Sequence, residues 1–251
     1  MLTALRSGDF RMVSSAARRH REQVADSNPL SETQMAAWFE IVAARESGDL
    51  KGAANIARDY LDKRATLFGS PGVDDQALDQ YVTWPMWRAL RAAGLASKAD
   101  VRAERDRMIA EWRPKMGADY LPYLWFATYA GLAFDADEAR EALDALPDFG
   151  GLPRAFTAMP HEVAIGRVFK LAGKLDDAIV WLRRAAKACW LTMPENTLAT
   201  FELGEALEEH RDKAEACAAY ATVLKRWGNA KPKSVTADEA KKRSAALGCA
   251  R

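Results

Sequence analysis

The stretch LGEALEEHRDKAEACAAYATV, residues 203–223, decides the fold. Leu203, Gly204 and Leu207 recur at helical steps, His210-Arg211-Asp212 interrupts them, and Ala216, Tyr220 and Val223 resume. Steps of three and four residues return side chains to one face of an α-helix, so the stretch predicts two helices joined by a short turn. The unit before it reads Ile165-Gly166, Phe169, the turn Gly173-Lys174-Leu175-Asp176, then Ala178, Leu182 and Ala185, with Gly166 lying 38 residues before Gly204. Phe126-Ala127, Ala130, Ala139, Leu143 and Leu146 fit the same template. So do Trp38, Ile41 and Ala44, the turn Ser47-Gly48-Asp49-Leu50, and Ala53, Ala57 and Tyr60. A further turn, Ser7-Gly8-Asp9-Phe10, precedes Gly48 by 40 residues. Between these units, Trp84, Trp87 and Leu90, then Gly94 and the helix over 101–112, make a divergent, longer copy. Turns repeating in one phase argue for an array of helical hairpins, none of which can bury its apolar side alone.

The spacing L-G-x2-L, turn, A-x3-Y-x2-V resembles the tetratricopeptide repeat, whose unit is about 34 residues. In that family a large residue sits beside a small one in the first helix, and a small Ala lets the second helix approach. The resemblance implies an all-α fold: one α-solenoid over residues 1–251 with about six hairpins and a C-terminal capping helix. The hairpins fall near 1–27, 32–66, 76–115, 118–147, 158–190 and 196–228, and the cap at 236–248, a helix without a partner of its own. Loops are expected at 69–75 and 147–160. On this reading the first hairpin lacks most of its opening helix, so the chain is expected to be part of a longer protein.

From Leu203 to Cys249 the likeness is more specific. LGEALEEH, then ACAAY, then LKRWGNAKPKSVTADEA and ALGC are similar to the C-terminal repeat region of bacterial, notably myxobacterial, serine/threonine kinases. The kinase domain itself has no counterpart here. The resemblance implies a sensory or scaffolding role in signalling, in which the repeats recognise a ligand or partner for an attached enzyme.

Thirty-six Lys and Arg against 35 Asp and Glu leave a net charge of +1, which argues against a dedicated nucleic-acid or membrane-surface binder. No apolar run approaches the ~20 residues that span a bilayer, and the N-terminus lacks a secretory pattern. The default compartment is the cytoplasm, or the periplasm or outside if a membrane anchor precedes the chain. Cys189, Cys217 and Cys249 are too few for a disulfide scaffold and lack metal-ligand spacing. Cys189 reads as a packing residue. Cys217, on the second helix of the last hairpin, and Cys249, at the end of the cap, form a disulfide in an oxidising compartment or remain two buried thiols.

No chemistry-bearing motif has its context. Asp148-Phe149-Gly150 spells the magnesium-binding triplet of kinases, without a Gly-rich loop, strand lysine or catalytic loop. His161-Glu162 opens like a zinc-protease helix, but Ile165 stands where the second histidine is needed. Gly173-Lys174 lacks the flanking residues of a phosphate loop. We therefore expect no catalytic residues, metal or cofactor.

In tetratricopeptide stacks the first helices line a concave face. Matching positions give Trp38 and Arg45, then Trp84, Arg88 and Arg91, then Thr128, then Arg167 and Lys170, and finally Glu205 and Glu208. Five of these are cations and the acids come only at the end, so the resemblance implies an aromatic-basic trough for a protein or peptide of acidic character. For any one Trp the alternative is packing between helices. The leading expectation is a non-catalytic protein- or peptide-binding scaffold, without nucleic acid or membrane insertion. A ligand-sensing region of a signalling protein, such as a serine/threonine kinase, is the alternative, and an α-helical enzyme the third.

Overall fold

One backbone geometry serves most of the turns. Gly8, Gly48, Gly94 and Gly173 adopt left-handed φ between 71° and 77°, where a Cβ would crowd the following carbonyl. At the second of these, the Gly48 N–H donates to the Arg45 carbonyl (3.0 Å) and the Asp49 N–H to that of Ala44 (2.9 Å), covering carbonyls that the ending helix leaves bare. The same pair of bonds recurs at Gly8, Gly94, Gly173 and Arg211. The Asp of each Gly-Asp turn then starts the next helix: Asp9 accepts from the Met12 N–H (3.0 Å) and Asp49 from that of Gly52 (2.8 Å). In the last copy Arg211 holds the left-handed position at φ 68° and Asp212 caps.

These turns separate thirteen α-helices in the computed structural model, which describes residues 1–24, 31–67, 83–153, 161–187 and 195–249. They are α1 (Leu2–Arg6), α2 (Phe10–Val24), α3 (Ser31–Glu46), α4 (Leu50–Leu67), α5 (Trp84–Ala92), α6 (Lys98–Trp112) and α7 (Leu121–Trp125). A π-helical turn, Phe126–Ala130, extends α7, and there follow α8 (Ala136–Ala145), α9 (His161–Leu171), α10 (Leu175–Lys187), α11 (Asn196–Glu209), α12 (Lys213–Trp227) and α13 (Val235–Leu247). No strand occurs among the described residues; Asp9 and Lys231 form an isolated bridge. Cys189, the 69–75 loop and positions 154–160 of the second loop lie outside the described residues.

Neighbours in sequence are neighbours in space from α2 to α5 and from α9 to α13, each helix packing on the next. Small residues set the approach distance. A methyl group at Gly204 would lie 2.5 Å from the Tyr220 ring, and one at Gly166 2.6 Å from Leu182. The middle is less regular: α6 rests on the π-helical turn, and Trp84 of α5 seats its ring on Gly131. The main apolar core runs from Ala4 to Ala240, with a second cluster around Ile41, Tyr60, Met86 and Leu90 and a small third at Val163, Ala185 and Ala199.

The two ends of the chain meet. The Trp227 indole N–H donates to the Leu5 carbonyl at 2.7 Å, and its ring stands edge-on to Phe10 at 5.4 Å. Lys231 is bracketed by backbone bonds to Gly8 (2.9 Å) and from Phe10 (3.1 Å). Further in, buried Glu46 at the end of α3 accepts from the Ser234 hydroxyl (2.5 Å), the Thr236 hydroxyl (2.7 Å) and the Thr236 N–H (3.3 Å). Its carboxylate thus sits at the N-terminus of α13, where the helix dipole favours an anion. The sequence reading left the last helix unpartnered at one end of the array. In the structure α13 packs on α12 and also touches α3 and α11, so it has neighbours from both halves of the chain.

Burial raises the Glu46 carboxyl above its ordinary value near 4.5, against the opposing effect of its donors. The folded chain therefore holds that proton more tightly than the unfolded one, and the stability so gained is full below the ordinary value and is lost as the pH rises through the folded value. In denaturant titrations, Glu46→Gln is expected to flatten this slope. Glu46→Ala, which strands the Ser234 and Thr236 donors, is expected to cost about 2–3 kcal/mol. Arg211→Gly should gain about 1 kcal/mol by relieving the left-handed backbone; an unchanged midpoint would contradict that account.

Candidate functional site

The expected trough is filled. Trp38, Trp84 and Thr128 are buried, at 3%, 0% and 0% exposure. Trp38 meets Trp84 edge-on at 5.0 Å and Trp84 meets Phe126 at 6.4 Å, so α3, α5 and the π-helical turn join through aromatic edges. The Thr128 hydroxyl is spent on the Leu124 carbonyl (2.6 Å). These three are core residues in this fold, because the helices that carry them close on one another.

Most of the cations are matched from within. Arg91 pairs with Glu138 (2.5 Å) and Asp135 (3.5 Å) and lies over the Phe134 ring at 4.4 Å. Lys170 pairs with Glu205 at 2.6 Å. Arg167 grips Glu202 through Nε (2.9 Å) and Nη2 (2.5 Å), with Glu195 at 3.6 Å. Burial works against the charge on Glu202, but Arg167 and Lys170 outweigh it and hold the carboxyl below its ordinary range. Glu205 and Glu208 face α13, where Arg243 bridges both at 3.1 and 3.0 Å, and Glu208 also accepts from the Tyr220 hydroxyl at 2.6 Å.

The acids opposite these cations were the residues that position matching passed over. Glu202 and Glu205 each lie 35 residues after the cation they meet. The 38-residue offset of Gly166 and Gly204 would instead pair Arg167 with Glu205 and Lys170 with Glu208, so the spacing of the units does not single out Glu202.

Two of the five expected cations make no ion pair with a carboxylate among the described residues. Arg88 donates from Nη1 to the Ala133 carbonyl (3.0 Å) and stacks on Phe134 at 4.8 Å. Arg45, partly exposed on the last turn of α3, has no hydrogen bond or ion pair among the described residues. Burial, then the neighbouring Arg167 and Arg45 charges, bring Arg88 down to about 9.

An open groove of about 380 Å³ runs elsewhere, between α10, α11 and α12. Leu203 and Leu207 line it together with Ala186 and Ala219, and Lys187, Arg183 and Glu215 stand around it. Arg183 and Glu215 pair at 2.6 Å. Asp148-Phe149-Gly150 forms part of a 3-10 turn in which Phe149 is buried against Tyr129 at 5.7 Å, a packing role. Among the described residues no group of three or more His, Cys, Asp or Glu is placed to hold a metal ion, and no helix is long and apolar enough to cross a membrane.

Cys217 and Cys249 are joined as a disulfide, their Cα atoms 5.6 Å apart and 32 residues apart in sequence. Closing a loop of that length restricts the unfolded chain by about 3–4 kcal/mol. Reductant, or Cys249→Ser, is expected to lower the unfolding midpoint accordingly. Equal midpoints with and without reductant would count against the bond as a source of stability.

The chain matches no protein-family model, no curated protein and no solved structure.

Proposed function

We propose that this chain is a non-catalytic recognition module, an array of tetratricopeptide-like hairpins that binds a segment of a protein partner. Support for the repeat comes from the shared turn geometry at Gly8, Gly48, Gly94, Gly173 and Arg211. The small-against-large contacts of Gly166 with Leu182 and of Gly204 with Tyr220 add to it. The contact surface is the α10–α11–α12 groove rather than the inner face. One observation carries this: an open groove of about 380 Å³ has Leu203, Leu207 and Ala219 at its floor, whereas the inner face has spent its rings and most of its charges internally. Its shape suits a short segment with an apolar anchor, and Lys187 on its wall favours an acidic flank on that segment.

The buried carboxylates favour recognition over catalysis. Glu202 is held ionised by Arg167, which suits a fixed acceptor and not a proton donor at neutral pH. If the likeness to kinase-associated repeats extends to context, the groove recruits partners for an attached enzyme.

Ala218→Arg and Thr222→Arg place bulk and charge in the groove from its α12 wall. Both are expected to reduce capture of a natural partner at least about tenfold, or 1.4 kcal/mol, while the helical circular-dichroism spectrum is unchanged. Capture that survives both variants and fails in Arg45→Gln would move the surface to the inner face.

A further inference from the structure

The two halves of α13 are held by different means. Its buried residues, Thr236, Ala237 and Ala240, all lie in the first half, where Thr236 and the N-cap Ser234 also bond the buried Glu46 of α3. None of residues 241–247 is buried; Leu247 packs on the core but stays partly exposed. The second half is secured by polar and covalent contacts instead. Arg243 reaches Glu205 (3.1 Å) and Glu208 (3.0 Å) on α11, and Cys249, just past the helix, is bonded to Cys217 of α12.

Arg243 and both carboxylates keep partial contact with water, and ion pairs so placed hold weakly on their own. The disulfide keeps them closed, because it fixes the end of the helix against α12 and makes every return of Arg243 an intramolecular step. The acids beneath are the two that were expected to line a concave face. Without Arg243, Glu205 retains Lys170, and Glu208 retains the Tyr220 hydroxyl but no cation among the described residues.

We propose that the Cys217–Cys249 bond is a redox latch: reduction by a dithiol frees residues 241–249 and uncovers Glu205 and Glu208 on α11. Both cysteines are partly exposed, which gives a thiolate a line of attack. One thiolate of the reductant attacks a sulfur of the bond and forms a mixed disulfide, and the second displaces the protein sulfur from it. The reductant leaves as a disulfide, its two electrons and two protons ending on Cys217 and Cys249 as thiols. The first half of α13 stays in place, because neither its apolar burial nor its bonds to Glu46 involve the cysteines. The latch shares no residue with the α10–α11–α12 groove and does not depend on it.

The test is nitrogen relaxation by NMR on the full chain, first oxidised and then treated with dithiothreitol, well below its melting temperature. Complete reduction is verified by alkylating the freed thiols and weighing the protein. On reduction the heteronuclear NOE is expected to fall from the level of a rigid helix to that of a flexible chain at the backbone amides of 243–249 and at the Arg243 Nε–H. Residues 236–240 and α12 should keep their values. Relaxation reads motion within the folded state, so a lower unfolding midpoint alone does not move it. Cys249→Ser should give the mobile pattern with and without reductant. A rigid 243–249 in the reduced chain or in Cys249→Ser overturns the latch. So does mobility that spreads equally through α11 and α12, since the bond is then a staple for the whole end of the chain.

Discussion

A helical hairpin has an apolar edge on each side, and a row of hairpins has two such edges left over. Here residues near the two ends of the chain pack on each other. Trp227 drives its ring beside Phe10 and its indole N–H into the Leu5 carbonyl, so a side chain near one end of the chain completes the packing of the other. Gly8 makes this possible twice over. It supplies the left-handed turn, and it leaves room for Ala230, whose Cβ would lie 2.7 Å from any Cβ at that position. Glu46 adds a polar fastening one hairpin further in, charged or hydrogen-bonded into the first turn of α13. The layout of the inner face follows from this closure, because it sets which helices look at one another across the interior.

Two ion pairs of that interior are built alike, each joining residues 35 apart in sequence. Arg167 with Glu202 and Lys170 with Glu205 are the same contact made twice along neighbouring faces of α9 and α11. Such pairs stabilise little where they are exposed and cost more to break where they are buried. Arg167 lies at the buried extreme and Arg183–Glu215, on the outside, at the other. Arg45 and Arg88 fall outside this pattern, since neither makes an ion pair with a carboxylate among the described residues, whereas Arg91 on the same α5 does.

Helices, turns and their order were legible in the sequence because they rest on local signals. The Gly-Asp pairs of Gly8-Asp9 and Gly48-Asp49 announce a left-handed helix end and an N-cap in consecutive residues. Arg211 was readable only by analogy with them, since nothing in its own chemistry asks for that backbone. The fate of Trp38, Trp84 and Thr128 was not legible. Helical phase says that they point inward, but whether inward means a groove or a core depends on how far the row curves, and that is decided by contacts such as Trp227–Leu5 between residues 222 apart. The same ignorance hid the charge balance: Glu202 on α11 and Glu138 on α8 fall outside the expected groove set, and only their distances to Arg167 and Arg91 reveal what they neutralise.

The meeting of the two termini alters how the chain comes apart. An open array of repeats loses its end units first, since each terminal unit is held by one neighbour and stability sums along a line. In this chain Trp227 and Lys231 bond residues near the opposite terminus, and the α13 segment is tied to α12 by a covalent bridge and to α3 by Glu46. Fraying from either terminus has to break these contacts, which favours a more cooperative melt than an open array shows. The reverse holds for assembly: the seam joins residues at opposite ends of the sequence, the kind of long-range contact that slows folding most, and it forms last, after the local hairpins are in place.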